Sequence, residues 1–151
     1  MRIFSLLFLC GWMLLIIWFS AQPAAQSKDM SGMVVQALVN MVTALLPVAQ
    51  SVKEQQMLIQ YLHSMVRKAA HGANYFVLGV LAYQTFRLNT GIKKQGWLAG
   101  VILFCAAFAA LDELHQVYVP GRSGELRDVM IDSGSAIVGI LLCWAIGRGK
   151  G

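Results

Sequence analysis

Charged residues are scarce in this chain. Its 151 residues include 13% aspartate, glutamate, lysine and arginine but 58% hydrophobic residues. A soluble domain carries roughly a quarter charged residues, so this chain has about half the charge that a water-facing surface needs. We therefore infer that lipid replaces water around much of the protein.

Several other signals are missing as well. The three cysteines, Cys10, Cys105 and Cys143, lie inside apolar runs, and an odd number in such places argues against a disulfide framework. No Cys-x-x-Cys pair, glycine-rich phosphate loop, strand pattern or repeat occurs, which excludes zinc-ribbon and nucleotide-binding domains. The net charge of +5 does not indicate a nucleic-acid partner, because the basic residues fall singly or in pairs beside apolar runs.

Four apolar runs approach the length of about 20 residues that a helix needs to cross a bilayer. They predict an all-α polytopic membrane protein with one domain over the whole chain. The predicted spans are residues 3–19, 69–88, 97–114 and 129–146. The first run has a second interpretation as a cleavable signal peptide, because small residues follow it at Ser20 and Ala21. Its length and its two tryptophans favour a span.

The distribution of positive charge favours a cytoplasmic N-terminus and C-terminus. With the N-terminus inside, the cytoplasmic segments contain six basic residues and no acid, namely Arg2, Arg87, Lys93, Lys94, Arg148 and Lys150. The outer segments then contain the other six basic residues and all seven acids, so the count alone is a tie. Because Lys28 and Lys53 lie in a long segment, where the positive-inside rule weakens, the balance favours this orientation.

The segment between the first two spans predicts amphipathic helices over about residues 30–66. Apolar residues recur there at helical spacing. The run Ser51-Val52-Lys53-Glu54 fits a capping box that opens a second helix, and Pro47 separates the two helices. We expect these helices to lie in the outer membrane interface or to re-enter it shallowly. A soluble helical hairpin that covers the bundle is the alternative.

Small residues in the last two spans predict a close contact between those spans. Ser135 and Gly139 lie four residues apart in the fourth span, and four alanines occur within residues 106–110 of the third. Small side chains let helix backbones approach closely in lipid, where the hydrophobic effect does not drive helices together.

Ionisable residues collect at one end of the predicted spans. Three polar pairs are spaced by four residues and so share a helix face, namely Arg67 with His71, Asp112 with Gln116, and Asp128 with Asp132. Ionisable groups at this depth cost several kcal/mol unless they are paired or hydrated, so we expect one shared cavity. Asp132 lies deepest, and Arg122 or His71 is its expected partner. His115 adjoins the cluster, and its membership is left open.

Five motifs, in this order, resemble the VanZ-like family. They are Trp18-Phe19-Ser20-Ala21-Gln22-Pro23, Arg67-Lys68-Ala69-Ala70-His71, Asp112-Glu113-Leu114-His115-Gln116, Pro120-Gly121-Arg122, and Asp128 with Asp132 and Gly139. The resemblance implies a bacterial multipass protein of the cell envelope, in a family whose namesake is linked to low-level teicoplanin resistance. It also implies a relationship to a wider set of helical membrane proteins proposed to act on phosphate-linked lipid head groups. A polyprenyl-linked cell-wall precursor or a phospholipid fits the amphiphilic substrate of the enzyme hypothesis below.

The polar cluster supports two functional hypotheses and a structural one. In the first, a phosphoesterase or phosphotransferase acts at the extracytoplasmic face, with His71, Asp112, Glu113 and Asp128 as catalytic residues and Arg67, Gln116, Arg122 and Asp132 as substrate-binding residues. The candidate ligands of a divalent cation, Mg²⁺ or Ca²⁺, are Asp112, Glu113, Asp128 and Asp132. In the second, the pocket binds or shields a lipid-linked precursor or an antibiotic without turnover. In the third, the charges neutralise one another and fix the helix packing.

Overall fold

Five α-helices make up nearly all of the chain that the structure describes. The structure is a computed structural model, and it describes residues 2–45, 51–89 and 96–148. The helices are α1 (Arg2–Ser20), α2 (Ala24–Leu45), α3 (Val52–Asn89), α4 (Trp97–Gln116) and α5 (Leu126–Arg148). The all-α prediction is confirmed. The break predicted at Pro47 and the basic residues Lys93, Lys94 and Lys150 lie outside the described residues.

Three of these helices are long and apolar enough to cross a membrane. They are α1, α4 and the part of α5 from Leu126 to Gly147, so the count of four spans is not confirmed. The segment predicted as the second span, residues 69–88, is the second half of α3. Because α3 packs against each of the other four helices, protein rather than lipid surrounds much of its surface, and its sequence can be less apolar than that of its neighbours.

The second half of α3 forms the centre of a bundle in which it runs antiparallel to α1 and α4 and parallel to α5. At one end of the bundle, Thr85 Oγ1 donates a hydrogen bond to the carbonyl oxygen of Ser5 at 3.1 Å. The most buried side chains of the core are Tyr75 and Leu78 of α3, Val101 of α4 and Ile140 of α5. Many large apolar side chains on the outer faces of the helices are exposed, as expected of helices that face lipid.

The closest helix contact joins α3 and α5. A Cβ atom added to Gly79 would lie 2.2 Å from the carbonyl oxygen of Ala136, and one added to Gly139 would lie 2.4 Å from that of Phe76. Helix α5 also packs against α4, but its small residues face α3. The prediction that Gly139 and Ser135 mark a contact between the third and fourth predicted spans, α4 and α5, was therefore wrong in its partner, because the central helix is the one that must approach α5 most closely.

Residues 24–45 and the first half of α3 form a helical hairpin. Among the described helices, α2 packs against α3 alone, and Ser31 Oγ forms a hydrogen bond with His63 Nδ1 at 2.9 Å. The predicted capping box is confirmed, because Glu54 N donates to Ser51 Oγ at 3.3 Å and Ser51 N donates to Glu54 Oε2 at 3.0 Å. The segment is thus a paired hairpin that joins the bundle beside the polar cluster, and its position relative to the membrane stays a prediction.

Candidate functional site

The turn between α4 and α5 places Arg122 over the end of α1. Gly121 has a φ of +75°, in the left-handed region that glycine adopts without strain. A Cβ atom at this position would lie 3.1 Å from Ala24 Cβ, and Ala24 N donates a hydrogen bond to the Pro120 carbonyl oxygen at 3.3 Å. The turn therefore packs against the start of α2, and it directs the next side chain, Arg122, back toward α1.

Arg122 holds the ends of α1 and α4 together. Its Nε donates to the Gln22 carbonyl oxygen at 2.9 Å, its Nη2 donates to that of Phe19 at 3.2 Å, and its Nη1 donates to Gln116 Oε1 at 3.1 Å. The last carbonyls of a helix have no partner within it, so a cation there stabilises the helix end. Burial, and then the positive charge of Arg67, lower the pKa of Arg122. Three of its five N–H groups are occupied by the protein itself.

Asp112 is the centre of a buried network that connects α1, α3 and α4. Its Oδ2 accepts hydrogen bonds from Ser20 Oγ at 2.7 Å, from Tyr75 OH at 3.2 Å and, more weakly, from Gln116 Nε2 at 3.5 Å. Only 4% of Asp112 is exposed, and its Oδ1 has no partner in the described part of the chain. This network fixes the side chain of Gln116 between Asp112 and Arg122.

A second group of charges joins α3, α4 and α5. Lys68 Nζ contacts Asp128 Oδ1 and lies 3.2 Å from Glu125 Oε2. Burial lowers the pKa of Lys68, but the hydrogen bonds and charges of Asp128 and Glu125 outweigh burial and raise this pKa above its ordinary value. Glu113 Oε1 accepts a hydrogen bond from Glu125 N at 2.7 Å. The acids Glu113 and Asp128 thus hold the start of α5 in place.

His71 and Asp132 form the deepest pair of this group. His71 Nδ1 lies 3.6 Å from Asp132 Oδ2, slightly beyond the length of a hydrogen bond. Asp132 is 3% exposed, and its Oδ1 has no partner among the described residues. Of the two partners expected for Asp132, His71 is the one in contact, because Arg122 is bound to the end of α1.

These charges surround a small polar pocket. Its lining residues are Arg67, Lys68, His71, Glu113, Gln116, Asp128, Ile131 and Asp132. The volume of this pocket is ≈ 10 Å³, which is close to the least space that holds one water molecule. A phosphate group does not fit inside it.

Arg67 lies where the polar pocket meets two larger cavities. The first, called the apolar cleft, has a volume of ≈ 240 Å³, and its lining surface is mostly apolar, with Phe19, Met30, Val34 and Val66 contributing to it. The second, called the basic cavity, lies between α2 and α3 and has a volume of ≈ 320 Å³. Within the described ranges, the Arg67 side chain forms no hydrogen bond or ion pair. His71 lines both the polar pocket and the apolar cleft.

Six of the eight predicted site residues line the polar pocket, namely Arg67, His71, Glu113, Gln116, Asp128 and Asp132. The other two, Asp112 and Arg122, contact the pocket through Gln116. His115 is exposed and does not line it.

No group of three or more histidine, cysteine, aspartate or glutamate residues in the described part of the chain is arranged to hold a metal ion. The prediction of a Mg²⁺ or Ca²⁺ site therefore receives no support from the geometry.

Sequence reasoning missed two residues of the Asp112 network. Tyr75 lies four residues after His71 on the same face of α3, so helical spacing could have identified it. Ser20 is fully buried, although its position after an apolar run suggested a signal-peptide cleavage site. At the end of an apolar run, the sequence alone does not distinguish a serine that is buried in the fold from one at a signal-peptide cleavage site.

The comparisons with known proteins identify one family. A model of the VanZ/LLP1 family matches residues 4–147, nearly the whole chain. No curated protein and no solved structure matches the chain. The matched range contains every residue of the two networks and of the three cavities described above.

Proposed function

This chain belongs to the VanZ/LLP1 family, and we propose that it is a cell-envelope membrane protein that hydrolyses a phosphate-linked lipid head group. One observation carries the proposal. Arg67 has no partner among the described residues, and it lies beside His71 at the junction of a one-water pocket and an apolar cleft. An amphiphile with a phosphate next to its apolar chain fits this junction.

Arg67 is the residue that binds the phosphate in this proposal. A guanidinium group presents a planar set of N–H donors that matches two phosphate oxygens at once. The neighbouring cations are less suited to this role, because Lys68 is paired with Asp128 and Glu125, and Arg122 is bound to carbonyl groups at the end of α1 and in the turn after it. Arg122 is instead a positioning residue that holds Gln116.

His71 is the general base of the proposed reaction. Asp132 contacts its Nδ1, and this contact orients the ring so that Nε2 can accept a proton. A water molecule in the polar pocket donates its proton to Nε2 as its oxygen forms a bond to phosphorus. The ester bond to the lipid oxygen breaks, and the leaving lipid alcohol takes up the proton. The three other acids predicted as catalytic, Asp112, Glu113 and Asp128, act here as positioning residues.

A further part of the proposal concerns the membrane topology, which decides on which side of the membrane the polar pocket opens. We take residues 69–88 as a fourth span that is shielded from lipid by α1, α4 and α5. Four spans place both termini on one side of the membrane, and the charge distribution favours the cytoplasmic side. The polar pocket then opens at the extracytoplasmic face, where cell-wall precursors and the outer phospholipid leaflet are accessible.

A binding protein without turnover is the second candidate. The observation that favours it is that Asp112, Glu113 and Asp128 are each engaged by groups of the protein, which leaves His71 with few catalytic partners. Such a protein would hold a lipid-linked precursor or an acylated antibiotic at the membrane surface. A link to teicoplanin resistance is compatible with this binding protein as well as with the enzyme.

Phosphate release from a lipid phosphate tests the proposal. Purified full-length protein in a phosphate-free detergent is incubated with farnesyl phosphate, and inorganic phosphate is measured. We expect release by the wild type and a loss of at least about 100-fold in His71→Gln. His115→Gln is the matched control, because His115 lies outside the pocket, and it should retain the wild-type rate. Binding without release favours the second candidate, and neither binding nor release contradicts both.

A further inference from the structure

The basic cavity has no role in the reaction proposed above, although Arg67 lines it. It lies at the base of the helical hairpin, between the first turns of α2 and the middle of α3. Lys28 and Ser31 line it from α2, and His63, Ser64 and Arg67 line it from α3. Its volume of ≈ 320 Å³ exceeds that of the apolar cleft, so it can contain a polar group of substantial size.

The charges around this cavity are all positive or neutral. No acid is among its lining residues. Lys28 and Arg67 each lack a side-chain hydrogen bond or ion pair within the described part of the chain. Two uncompensated cations that face one cavity repel each other, and an anion between them removes that repulsion.

The start of α2 adds to this positive potential. Helix α2 begins at Ala24, which lines the cavity, and its first turn contains no acid. The N–H groups of Ala24 and Ser27 are bonded to Pro120 and Pro23, so only the aligned peptide dipoles of α2 contribute, and they place a partial positive charge at this helix end. His63 is already engaged, because its Nδ1 bonds to Ser31 Oγ at 2.9 Å. The two unpartnered cations therefore remain the main anion-binding groups.

We propose that the basic cavity binds a second phosphate group, so that the ligand of this protein is a lipid diphosphate. The first phosphate lies beside Arg67 and His71, the second lies between Arg67 and Lys28, and the chain next to the first phosphate lies in the apolar cleft. This inference rests on the proposed function, because it assumes that Arg67 binds the first phosphate. It goes further in naming the class of head group and the residue that selects it.

Two lipids with the same farnesyl chain and different head groups test the inference. The affinity of full-length protein in a phosphate-free detergent is measured for farnesyl phosphate, farnesyl diphosphate and inorganic diphosphate by isothermal titration calorimetry. We expect the diphosphate lipid to bind about three- to tenfold more tightly than the monophosphate, as an added, partly exposed charge pair allows. Inorganic diphosphate should bind more weakly than either lipid, because it leaves the apolar cleft empty.

Lys28→Gln should remove the preference for the diphosphate lipid. Lys28 is exposed, so this change should not affect folding. Lys53→Gln is the matched control, since Lys53 is an exposed lysine of the same hairpin outside the cavity, and it should retain the preference. Equal affinity of the wild type for the two lipids, or an unchanged preference in Lys28→Gln, overturns the inference alone. Failure of both lipids to bind overturns the proposed function as well.

Discussion

Ser20 Oγ donates a hydrogen bond of 2.7 Å to Asp112 Oδ2, which joins the last residue of α1 to the last turns of α4. Both residues are buried. The same carboxylate accepts a hydrogen bond from Tyr75 of α3, so one acid connects three helices at the depth where the polar pocket begins. The charged cluster therefore has two parts. One part holds the helix ends together, and the other, around Arg67 and His71, faces the cavities.

The first prediction concerns this bond. Ser20→Ala should lower the free energy of unfolding by about 1–3 kcal/mol, because it leaves a buried carboxylate with one strong donor fewer. Thermal unfolding in detergent, followed by tryptophan fluorescence, measures the change. Ser123→Ala, in the exposed turn before α5, serves as the control and should behave as the wild type. Equal unfolding temperatures for the two variants would show that the bond contributes nothing.

The second prediction concerns the contact between α3 and α5. Gly79→Ala should greatly reduce the amount of folded protein, since the added methyl group would overlap the backbone at Ala136 and helix backbones cannot move apart without loss of packing. Gly134→Ala adds the same methyl group in open space on α5. Fluorescence-detected size-exclusion chromatography compares the two variants. A monodisperse Gly79→Ala peak of wild-type height would contradict the packing.

A third prediction separates Arg122 from Arg67. Arg122→Ala should destabilise the protein by roughly 2–4 kcal/mol, because it leaves the carbonyl groups of Phe19 and Gln22 and the side chain of Gln116 without a charged donor. Arg67→Ala should leave the unfolding temperature close to that of the wild type, since Arg67 has no partner to lose among the described residues. The thermal unfolding assay described for Ser20 applies here. A large loss of stability in Arg67→Ala would show that Arg67 has a structural role.

The fourth prediction concerns the membrane topology. In a background without native cysteines, Ser123→Cys should react with an impermeant maleimide added to intact cells. Gly96→Cys should react only after permeabilisation, because it precedes α4 at the opposite end of the bundle. If both positions are labelled from outside, the four-span proposal fails. Reversed labelling would also contradict the proposed topology, because it follows either from an inverted orientation or from three spans in which residues 69–88 do not cross the membrane.

The sequence was sufficient to predict the helices and most of the pocket. Apolar runs and the capping box predicted α1, α4, α5 and the start of α3, and the four-residue spacings predicted which side chains share a face. The sequence did not show which side chains on other helices those faces contact. Asp112 and Asp128 look equivalent in the sequence, yet one bonds to a serine and a tyrosine and the other to a lysine.

Helix order in space accounts for the main differences between the sequence-based expectations and the structure. The sequence does not indicate that α3 is central, so residues 69–88 were predicted as one span among four and the small residues of α5 were assigned to the wrong neighbour. Arg122, in the Pro120-Gly121-Arg122 turn, was predicted to bind substrate because a guanidinium group can clamp a phosphate. Only the folded chain shows that this turn directs the guanidinium group to the end of α1.

The affinity for farnesyl phosphate in Arg67→Ala, compared with Arg127→Ala, tests the central claim most directly. Arg127 is an exposed arginine in the first turn of α5 and does not line the polar pocket, the apolar cleft or the basic cavity. We predict that Arg67→Ala weakens binding at least about tenfold, as loss of a bidentate charged contact requires, while Arg127→Ala binds as the wild type does. Equal affinities in the two variants would contradict the assignment of Arg67 as the phosphate-binding residue.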